Sequence, residues 1–423
     1  MSDPSPRRTV ARHARLTSPH PLGQIARLVA VALAVVFVST AGTAAFAAWN
    51  AVDTATSNSV TLEGERQLPP EIGEIEGGVN LLMVGTDSCE GQSVKKFPRC
   101  AHDDGGERND VTMLVHISDS PRRVTVVSFP RDMLVDIPSC PDGNGGRYGE
   151  LYSTMINASY GRGGLNCTAL TVTALTGMQI DFAAAIRWTG VINMSDAIGG
   201  VRVCLTGDID NRDTGLHLKK GSHVLKGEEA LQFLRIRKGI GDGSDLGRIS
   251  NQQQFMSSLV RKLKSDEVLS NPATLFALAN TALQQVNNKQ LVLSDNLANP
   301  TRMVQIAMAL KDVDFDDIVF VQYPTQYAGS SRVVPLVEPA QVLFDALTDN
   351  KPITLTGEAS PGYSNSQTVK GEATPSESAA PDESPTPGAS ASSTTEADAA
   401  VELPDVITGQ TASQKTCTNP QTQ

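Results

Sequence analysis

The sequence predicts an α/β (α+β) fold, in which helices flank a central mixed β-sheet that includes a β-hairpin. Short apolar runs that end at glycine, such as residues 79–84 (VNLLMV), indicate buried strands. They alternate with segments such as residues 246–263, where apolar side chains recur at helical spacing. Two β-prone runs are joined by the turn sequence SDSP, which indicates the hairpin.

The predicted elements lie within residues 78–350, which we assign to one large domain. Glycines mark the ends of two helices, at Gly177 and at Gly199. A Leu/Ala-rich helix is expected after residue 270, and a final helix before Asp349. The predicted strands are 79–84, 110–117, 123–129, 183–187, 201–205 and 318–321. Five more helices are predicted at 168–175, 193–198, 226–234, 246–263 and 303–310.

An arginine-rich segment at the N-terminal end precedes an apolar stretch at residues 28–49. About 20 apolar residues suffice for a helix to cross a bilayer, and preceding arginines favour a cytoplasmic N-terminus. We therefore predict a cytoplasmic segment at 1–27, a single transmembrane helix at 28–49 in the plasma membrane, and an extracytoplasmic spacer at 50–77. A cleaved signal peptide is the alternative, because residues 45–47 (AFA) resemble a cleavage site.

Residues 351–423 are rich in Ser, Thr, Pro and Ala. A segment of this composition buries too little apolar surface to offset its ordering entropy. The composition predicts a disordered extracytoplasmic tail that is dispensable for stability and chemistry.

The charge balance is acidic, with 35 Lys and Arg against 46 Asp and Glu and a net charge of −11. A general nucleic-acid role is therefore not expected. The aromatic content of 4% also argues against a base-stacking platform. Any cluster of arginines is local, and a local cluster indicates a specific anionic ligand.

The cysteines lack the CxxC spacing of zinc sites and are placed outside the cytoplasm, so disulfides are expected. Cys89 and Cys100 would close a short loop. Cys204 would pair with either Cys167 or Cys140, and the sequence leaves both pairings open. Cys417 lies in the predicted tail and is expected to be unpaired.

Three groups of charged residues are candidates for a site. Asp87 follows the first predicted strand, where side chains reach a cleft. The second group has two parts, of which the first is Arg108 and Asp110, at the start of the hairpin. Arg131 and Asp132 follow the hairpin in the sequence SFPRD.

The third group lies in residues 233–255, FLRIRKGIGDGSDLGRISNQQQF. Arg235 and Arg237 are two apart and point to one side if the chain is extended there. Arg248 and Gln252 share a helical face. Guanidinium groups and an amide are suitable donors for a phosphate or pyrophosphate. Taken singly, each Arg–Asp pair also fits an exposed salt bridge worth about 0–1 kcal/mol.

Six segments, in order, resemble the LytR–CpsA–Psr family of cell-envelope proteins over about residues 79–347. They are NLLMVGTDS, RNDVTMLVHI, VVSFPRDMLVDIP, MINASYGRGG, INMSDAIGGVRVCL and KGEEALQFLRIR…DLGRISNQQQ. The resemblance implies an enzyme that transfers a glycopolymer from a polyprenyl-pyrophosphate carrier to peptidoglycan at the membrane and releases polyprenyl phosphate. Nucleic acid is not an expected partner.

The resemblance also implies roles for residues. Asp87 and Asp110 would hold Mg²⁺ (or Mn²⁺), and Asp132 would orient an arginine. The residues expected to act in catalysis are Asp110, Arg131, Asp132 and Arg248, and those expected to bind pyrophosphate are Arg108, Arg131, Arg235, Arg237, Arg248 and Gln252.

Two positions depart from the family pattern. Met155 stands where members often have lysine, and Asn251 where many have arginine. These departures leave two alternatives open. One is a non-catalytic protein that binds polyprenyl phosphate or wall polymer, and the other is a polyprenyl-pyrophosphate phosphatase.

Overall fold

The chain divides into two compact units, residues 1–50 and 51–423. The predicted membrane helix at 28–49 lies largely outside the described residues, and the described part of the chain contains no helix that is both long and apolar enough to span a bilayer. The computed structural model describes residues 56–66, 68–69, 78–356 except 91, 96, 103–105, 241, 242, 244, 266, 267, 270 and 330, then 366–368 and 399–420, with parts of 22–39 and residue 53.

The second unit contains all of the named strands and helices. The strands are β1 Val79–Thr86, β2 Asn109–Ile117, β3 Val124–Phe129, β4 Leu134–Ile137, β5 Cys140–Pro141, β6 Arg147–Tyr148, β7 Leu151–Met155, β8 Phe182–Ile186, β9 Val201–Leu205, β10 Ile209–Asn211, β11 Leu216–Leu218, β12 Gly221–Leu225, β13 Leu291–Leu293, β14 Ile318–Gln322, β15 Thr325–Tyr327, β16 Val333–Pro335, β17 Ile353–Leu355, β18 Ser366–Thr368, β19 Val401–Leu403, β20 Gly409–Thr411 and β21 Thr416–Thr418. The helices are α1 Ser159–Thr176, α2 Trp188–Ala197, α3 Gly227–Arg235, α4 Asp245–Ser265, α5 Pro272–Asn287, α6 Pro300–Ala309 and α7 Val337–Thr348.

A seven-stranded mixed sheet forms the centre of the domain, in the order β13-β8-β1-β2-β3-β14-β20. The strands β1 and β8 run parallel, as do β3 and β14, and the other neighbours are antiparallel. The predicted hairpin is confirmed as β2–β3, in which Ile117 pairs with Val124 and Thr112 with Phe129. The α/β prediction with a central mixed sheet is therefore confirmed.

Helices cover both faces of this sheet. On one face, side chains of α1 and α7, including Val172 and Leu343, pack in a core with Leu82 and Val127. On the other, α5 and α6 pack in a second core with strand residues such as Phe320. The central strands are buried on both sides, which explains why their sequences read as continuous apolar runs.

Part of the predicted spacer packs against the domain. The backbone N–H of Val60 donates to the carbonyl of Leu293 at 2.9 Å, and Leu62 is buried in the first core. Arg66 forms an ion pair with the buried carboxylate of Asp181. The spacer prediction is therefore wrong for residues 59–66, because they carry apolar and charged side chains with partners in the domain.

The prediction of a disordered tail is wrong for residues 399–420. Strand β20 pairs with β14 and forms one edge of the central sheet, while β21 joins β9 in a second, four-stranded sheet of order β12-β9-β21-β18. Leu403 and Ile407 are buried in the first core. We name residues 409–420 the C-terminal strap, because they contact both sheets.

The cysteines form three disulfides. The Cys89–Cys100 pair is confirmed, and Cys140 bonds to Cys167. The third disulfide joins Cys204 to Cys417 across 213 residues of sequence. The expected pairing of Cys204 with Cys167 or Cys140 and the expected free thiol at Cys417 are therefore wrong, because the strap brings Cys417 beside β9. Each of the six cysteines of the sequence is therefore bonded to another.

Candidate active site

The end of β1 and the start of β2 bring two predicted site residues together. Oδ1 of Asp87 accepts a hydrogen bond from the backbone N–H of Arg108 at 2.9 Å. The backbone N–H of Asp87 donates in turn to the carbonyl of Arg108 at 3.1 Å. The side chain of Arg108 is exposed. Asp87 therefore lies opposite Arg108, two residues before Asp110 in the sequence.

Asp110 lies in a β-bulge between β1 and β2. Gly85 pairs with Val111 and Thr86 with Asn109, so Asp110 is the extra residue on β2. A bulge interrupts strand alternation and re-aims a side chain, and bulges are common beside active sites. The bulge allows the carboxylate of Asp110 to face the arginines that follow β3 and begin α4.

Arg131, two residues after β3, contacts three carboxylates. Its Nη1 lies 2.5 Å from Oδ1 of Asp110. Its Nε lies 3.5 Å from Oδ1 of Asp132 and 3.4 Å from Oδ1 of Asp245. Burial opposes the charge of Arg131, but the three carboxylates outweigh burial and raise its pKa. Arg131 is therefore the centre of a charged cluster.

Helix α4 adds Asp245 and Arg248 to this cluster. Nη2 of Arg248 lies 2.6 Å from Oδ1 of Asp245 and donates to the backbone carbonyl of Asp110 at 2.6 Å. Arg248 is only 4% exposed, and its Nε has no hydrogen-bond partner among the described residues. Asp245 was not among the predicted site residues. Its i,i+3 spacing from Arg248, in the sequence DLGR, is the signal that identifies it.

Two further arginines come from the end of α3 and the loop after it. The guanidinium carbon of Arg235 lies 4.4 Å from the ring centroid of Trp188, a cation–π contact. The pKa of Arg237 is lowered by partial burial and by the positive charges of Arg131 and Arg248. Like charges this close repel one another, so an anion bound among these guanidinium groups would be stabilised.

Gln252 lies on α4 four residues after Arg248. Its Nε2 donates to the carbonyl of Leu234 at 3.1 Å, and the residue is buried. This hydrogen bond ties α4 to the last turn of α3. The structure therefore gives Gln252 a contact that holds two site elements together.

Asp110 and Asp132 have opposite pKa shifts. Burial raises the pKa of Asp110, but three arginines, with Arg248 the strongest, leave it below the ordinary 3.8. Burial raises the pKa of Asp132 above 3.8, and the negative charge of Asp245 adds to the rise. Carboxylates whose pKa values are pushed apart are typical of acid–base sites. Asp132 is the better proton acceptor of the two.

The chemistry of Asp87 and Asp110 fits a hard divalent cation. Both offer carboxylate oxygens, which Mg²⁺ and Mn²⁺ prefer. Proteins commonly bind Mg²⁺ through one or two carboxylates, with water and substrate phosphate as the other ligands. Within the described ranges, no group of three or more His, Cys, Asp or Glu is arranged to hold a metal ion.

Comparisons with known proteins extend this description. The model of the LytR_cpsA_psr family matches residues 37–343. The cell wall biosynthesis protein LcpA of Corynebacterium glutamicum is 30% identical over 258 residues, which cover 56% of this chain and 49% of the relative. The polyisoprenyl-teichoic acid–peptidoglycan teichoic acid transferase TagU of Bacillus cereus is 32% identical over 184 residues, 44% of this chain and 52% of the relative. The chain spans about half the length of these two relatives.

A solved structure shares the fold. The protein gbs0355 of Streptococcus agalactiae is 20% identical, with a TM-score of 0.50 over 67% of this chain and 90% of that one.

The fold and the site together define an α/β protein with an arginine-rich charged cluster at the ends of the central strands β1, β2 and β3 of a mixed sheet. The match of the family model over most of the domain gives this protein its family: the chain belongs to the LytR_cpsA_psr family.

Proposed function

We propose that this protein transfers a cell-envelope glycopolymer from a polyprenyl-pyrophosphate carrier to peptidoglycan at the outer face of the plasma membrane, anchored by one N-terminal helix. The observation that carries the proposal is the convergence of Arg131 and Arg248 on Asp110, with the positive charge of Arg237 near both arginines. Guanidinium groups suit a pyrophosphate because they donate hydrogen bonds in a planar fork. The names of the curated relatives, which concern cell-wall biosynthesis and teichoic acid transfer, support the same reaction class.

The proposed reaction is a phosphoryl transfer. A peptidoglycan hydroxyl oxygen forms a bond to the sugar-proximal phosphorus, and the bond from that phosphorus to the bridging oxygen breaks. Polyprenyl phosphate leaves with the bridging oxygen, so atoms and charge balance once the hydroxyl proton has been taken up. The carboxylate of Asp132, whose pKa is raised by burial, takes that proton.

The arginines stabilise the charge that develops on the phosphoryl oxygens. Arg131 and Arg248 already face carboxylates, so a bound pyrophosphate shares their guanidinium groups with Asp110 and Asp245. Asp87 and Asp110 would hold Mg²⁺ or Mn²⁺, which would neutralise phosphate charge when bound.

The test is a transfer assay with the full chain, a synthetic lipid-linked donor, Mg²⁺ and peptidoglycan. Polymer covalently attached to peptidoglycan supports the proposal. Release of free phosphorylated sugar instead indicates a hydrolase, and donor binding without turnover indicates a binding protein. Either of these two outcomes contradicts the proposed transfer.

Transfer should depend on the ionisation of Asp132. A base acts only when deprotonated, so kcat/KM should fall as the pH drops through the pKa of Asp132, which lies above 3.8. Asp132→Asn should lower the rate by about 10²–10⁴-fold and abolish this acidic limb. The measurement is a pH profile of both proteins, and an unchanged limb in the variant would assign it to another group.

Met155→Lys should strengthen donor binding. Met155 ends β7 and pairs with Leu134, two residues after Asp132, so a lysine there adds a cation near the arginines. A hydrogen bond to a charged group contributes about 1.5–3 kcal/mol, or roughly 10- to 100-fold in affinity. Calorimetry with a prenyl pyrophosphate measures the change. Met155→Gln, similar in length but uncharged, is the control, and an equal gain in both variants would contradict the explanation by charge.

A further inference from the structure

The C-terminal strap packs directly on α4, the helix that carries Arg248. Nε2 of Gln254 donates to the carbonyls of Thr416 at 2.8 Å and Cys204 at 3.0 Å. Oγ1 of Thr418 lies 2.7 Å from Oδ1 of Asn251 and also contacts Oε1 of Gln254. Thr418, Asn251 and Gln254 are all buried. Polar groups in such a place stabilise one arrangement strongly, because a lost partner leaves a buried donor or acceptor unsatisfied.

The hydroxyl of Thr418 has one proton and cannot donate to two oxygens. Nδ2 of Asn251 meanwhile has no hydrogen-bond partner among the described residues. Both observations are explained if the side-chain amide of Asn251 is rotated by about 180°. Its Nδ2 then donates to Oγ1 of Thr418, and that hydroxyl donates to Oε1 of Gln254. A continuous hydrogen-bond chain then links the strap to α4.

The same segment reaches the loop that carries Arg237. Pro420 forms an antiparallel bridge with Ile240, which is buried and lies three residues after Arg237. Asn251 lies one helical turn after Arg248. The strap thus contacts the chain three residues after each of these arginines, at Ile240 and at Asn251.

We propose that Thr418 is a positioning residue for the pyrophosphate site, which it serves by fixing α4 and hence Arg248 through Asn251 and Gln254. The proposal rests on the proposed pyrophosphate-binding function. It also gives Asn251 a role. The family pattern has an arginine at this position, and here the short amide side chain contacts the strap.

Thr418→Val tests the proposal, because it removes the hydroxyl while keeping a similar shape. We expect the Kd for geranylgeranyl pyrophosphate with Mg²⁺ to rise about tenfold, measured by calorimetry on the full chain well below the unfolding temperature. Thr418→Ser, which retains the hydroxyl, should restore most of the affinity. Thr411→Val is the matched control, because the hydroxyl of Thr411 contacts Ser413 within the strap.

A double-mutant cycle with Arg248→Ala separates positioning from a general loss of stability. If Thr418 acts through Arg248, Thr418→Val should raise the Kd no further in the Arg248→Ala background. If Arg248→Ala weakens binding but Thr418→Val matches Thr411→Val, or if the two effects simply add, the inference about Thr418 is overturned.

Unchanged binding in Arg248→Ala would instead overturn the proposed site itself. Should Thr418→Val fail to fold, Asn251→Ala takes its place in the same cycle. This substitution removes the partner of Thr418 on α4. A Kd that rises no further in the Arg248→Ala background supports the inference, and effects that simply add contradict it.

Discussion

A chain carrying Asp110→Asn should lose polymer transfer by about 10²–10³-fold, the size of effect seen when one preorganised electrostatic group is removed. The substitution keeps the shape of the side chain and the backbone carbonyl that accepts from Arg248. It removes the negative charge that faces Arg131 and one of the two carboxylates proposed for the metal. Binding of the prenyl chain should persist, because each buried CH₂ contributes about 0.8 kcal/mol independently of the charges.

The measurement combines the transfer assay with Mg²⁺ titration by calorimetry. Asp119→Asn is the matched control, since Asp119 lies in the turn at the other end of β2 and its Oδ1 accepts from the backbone of Ser120. Full activity in Asp110→Asn, or transfer that proceeds equally well without any divalent ion, would remove the metal from the proposed mechanism. Arg248→Ala should lower pyrophosphate affinity and leave Mg²⁺ binding largely intact.

Removing residues 399–423 should prevent stable folding. The deletion takes out the edge strand β20, two core side chains and the Cys204–Cys417 disulfide. Loss of a native disulfide costs about 2–5 kcal/mol, and emptying the sites of Leu403 and Ile407 costs about 2–5 kcal/mol each. The sum reaches the whole stability of a typical domain, about 5–15 kcal/mol.

Urea unfolding followed by circular dichroism measures this effect. A matched control replaces residues 372–396 with a Gly/Ser linker of equal length, which changes the low-complexity sequence and keeps the strap. The control should unfold at the wild-type urea concentration. A shortened chain that unfolds at the same urea concentration as this control would show that residues 399–423 contribute little to stability.

Local sequence predicts some elements of this fold and not others. The β2–β3 hairpin could be predicted because two apolar runs flank good turn residues, all within 20 or so positions. The ordered segment at residues 399–420 could not, because its apolar residues Leu403 and Ile407 follow a long polar stretch and their partners lie far away in sequence. Composition averaged over residues 351–423 hides a short segment that pairs with strands formed elsewhere.

For the candidate site, the sequence predicts which residues take part but not how they are arranged. The charged residues at the strand ends could be identified as a group from local sequence. Their geometry depends on the register between β1 and β2, which places Asp110 in a bulge and which no single strand specifies. Asp245 directly precedes the predicted helix 246–263, but its contact with Arg131 requires α4 to pack beside the end of β3.

The pairing of β20 with β14 also sets an order of events during synthesis. Until residues 409–411 have been made, β14 has an unpaired edge, and such edges invite association with other chains. The contacts of the strap with α4 form at the same late stage, because they need residues 416–418. Helix α4 therefore gains its contacts with the strap last, after the strands β1, β2, β3 and β14 have been synthesised. If the proposed function holds, pyrophosphate binding should reach full strength only once residues 416–418 have packed on α4, and a chain that stops earlier keeps an exposed strand edge that favours aggregation.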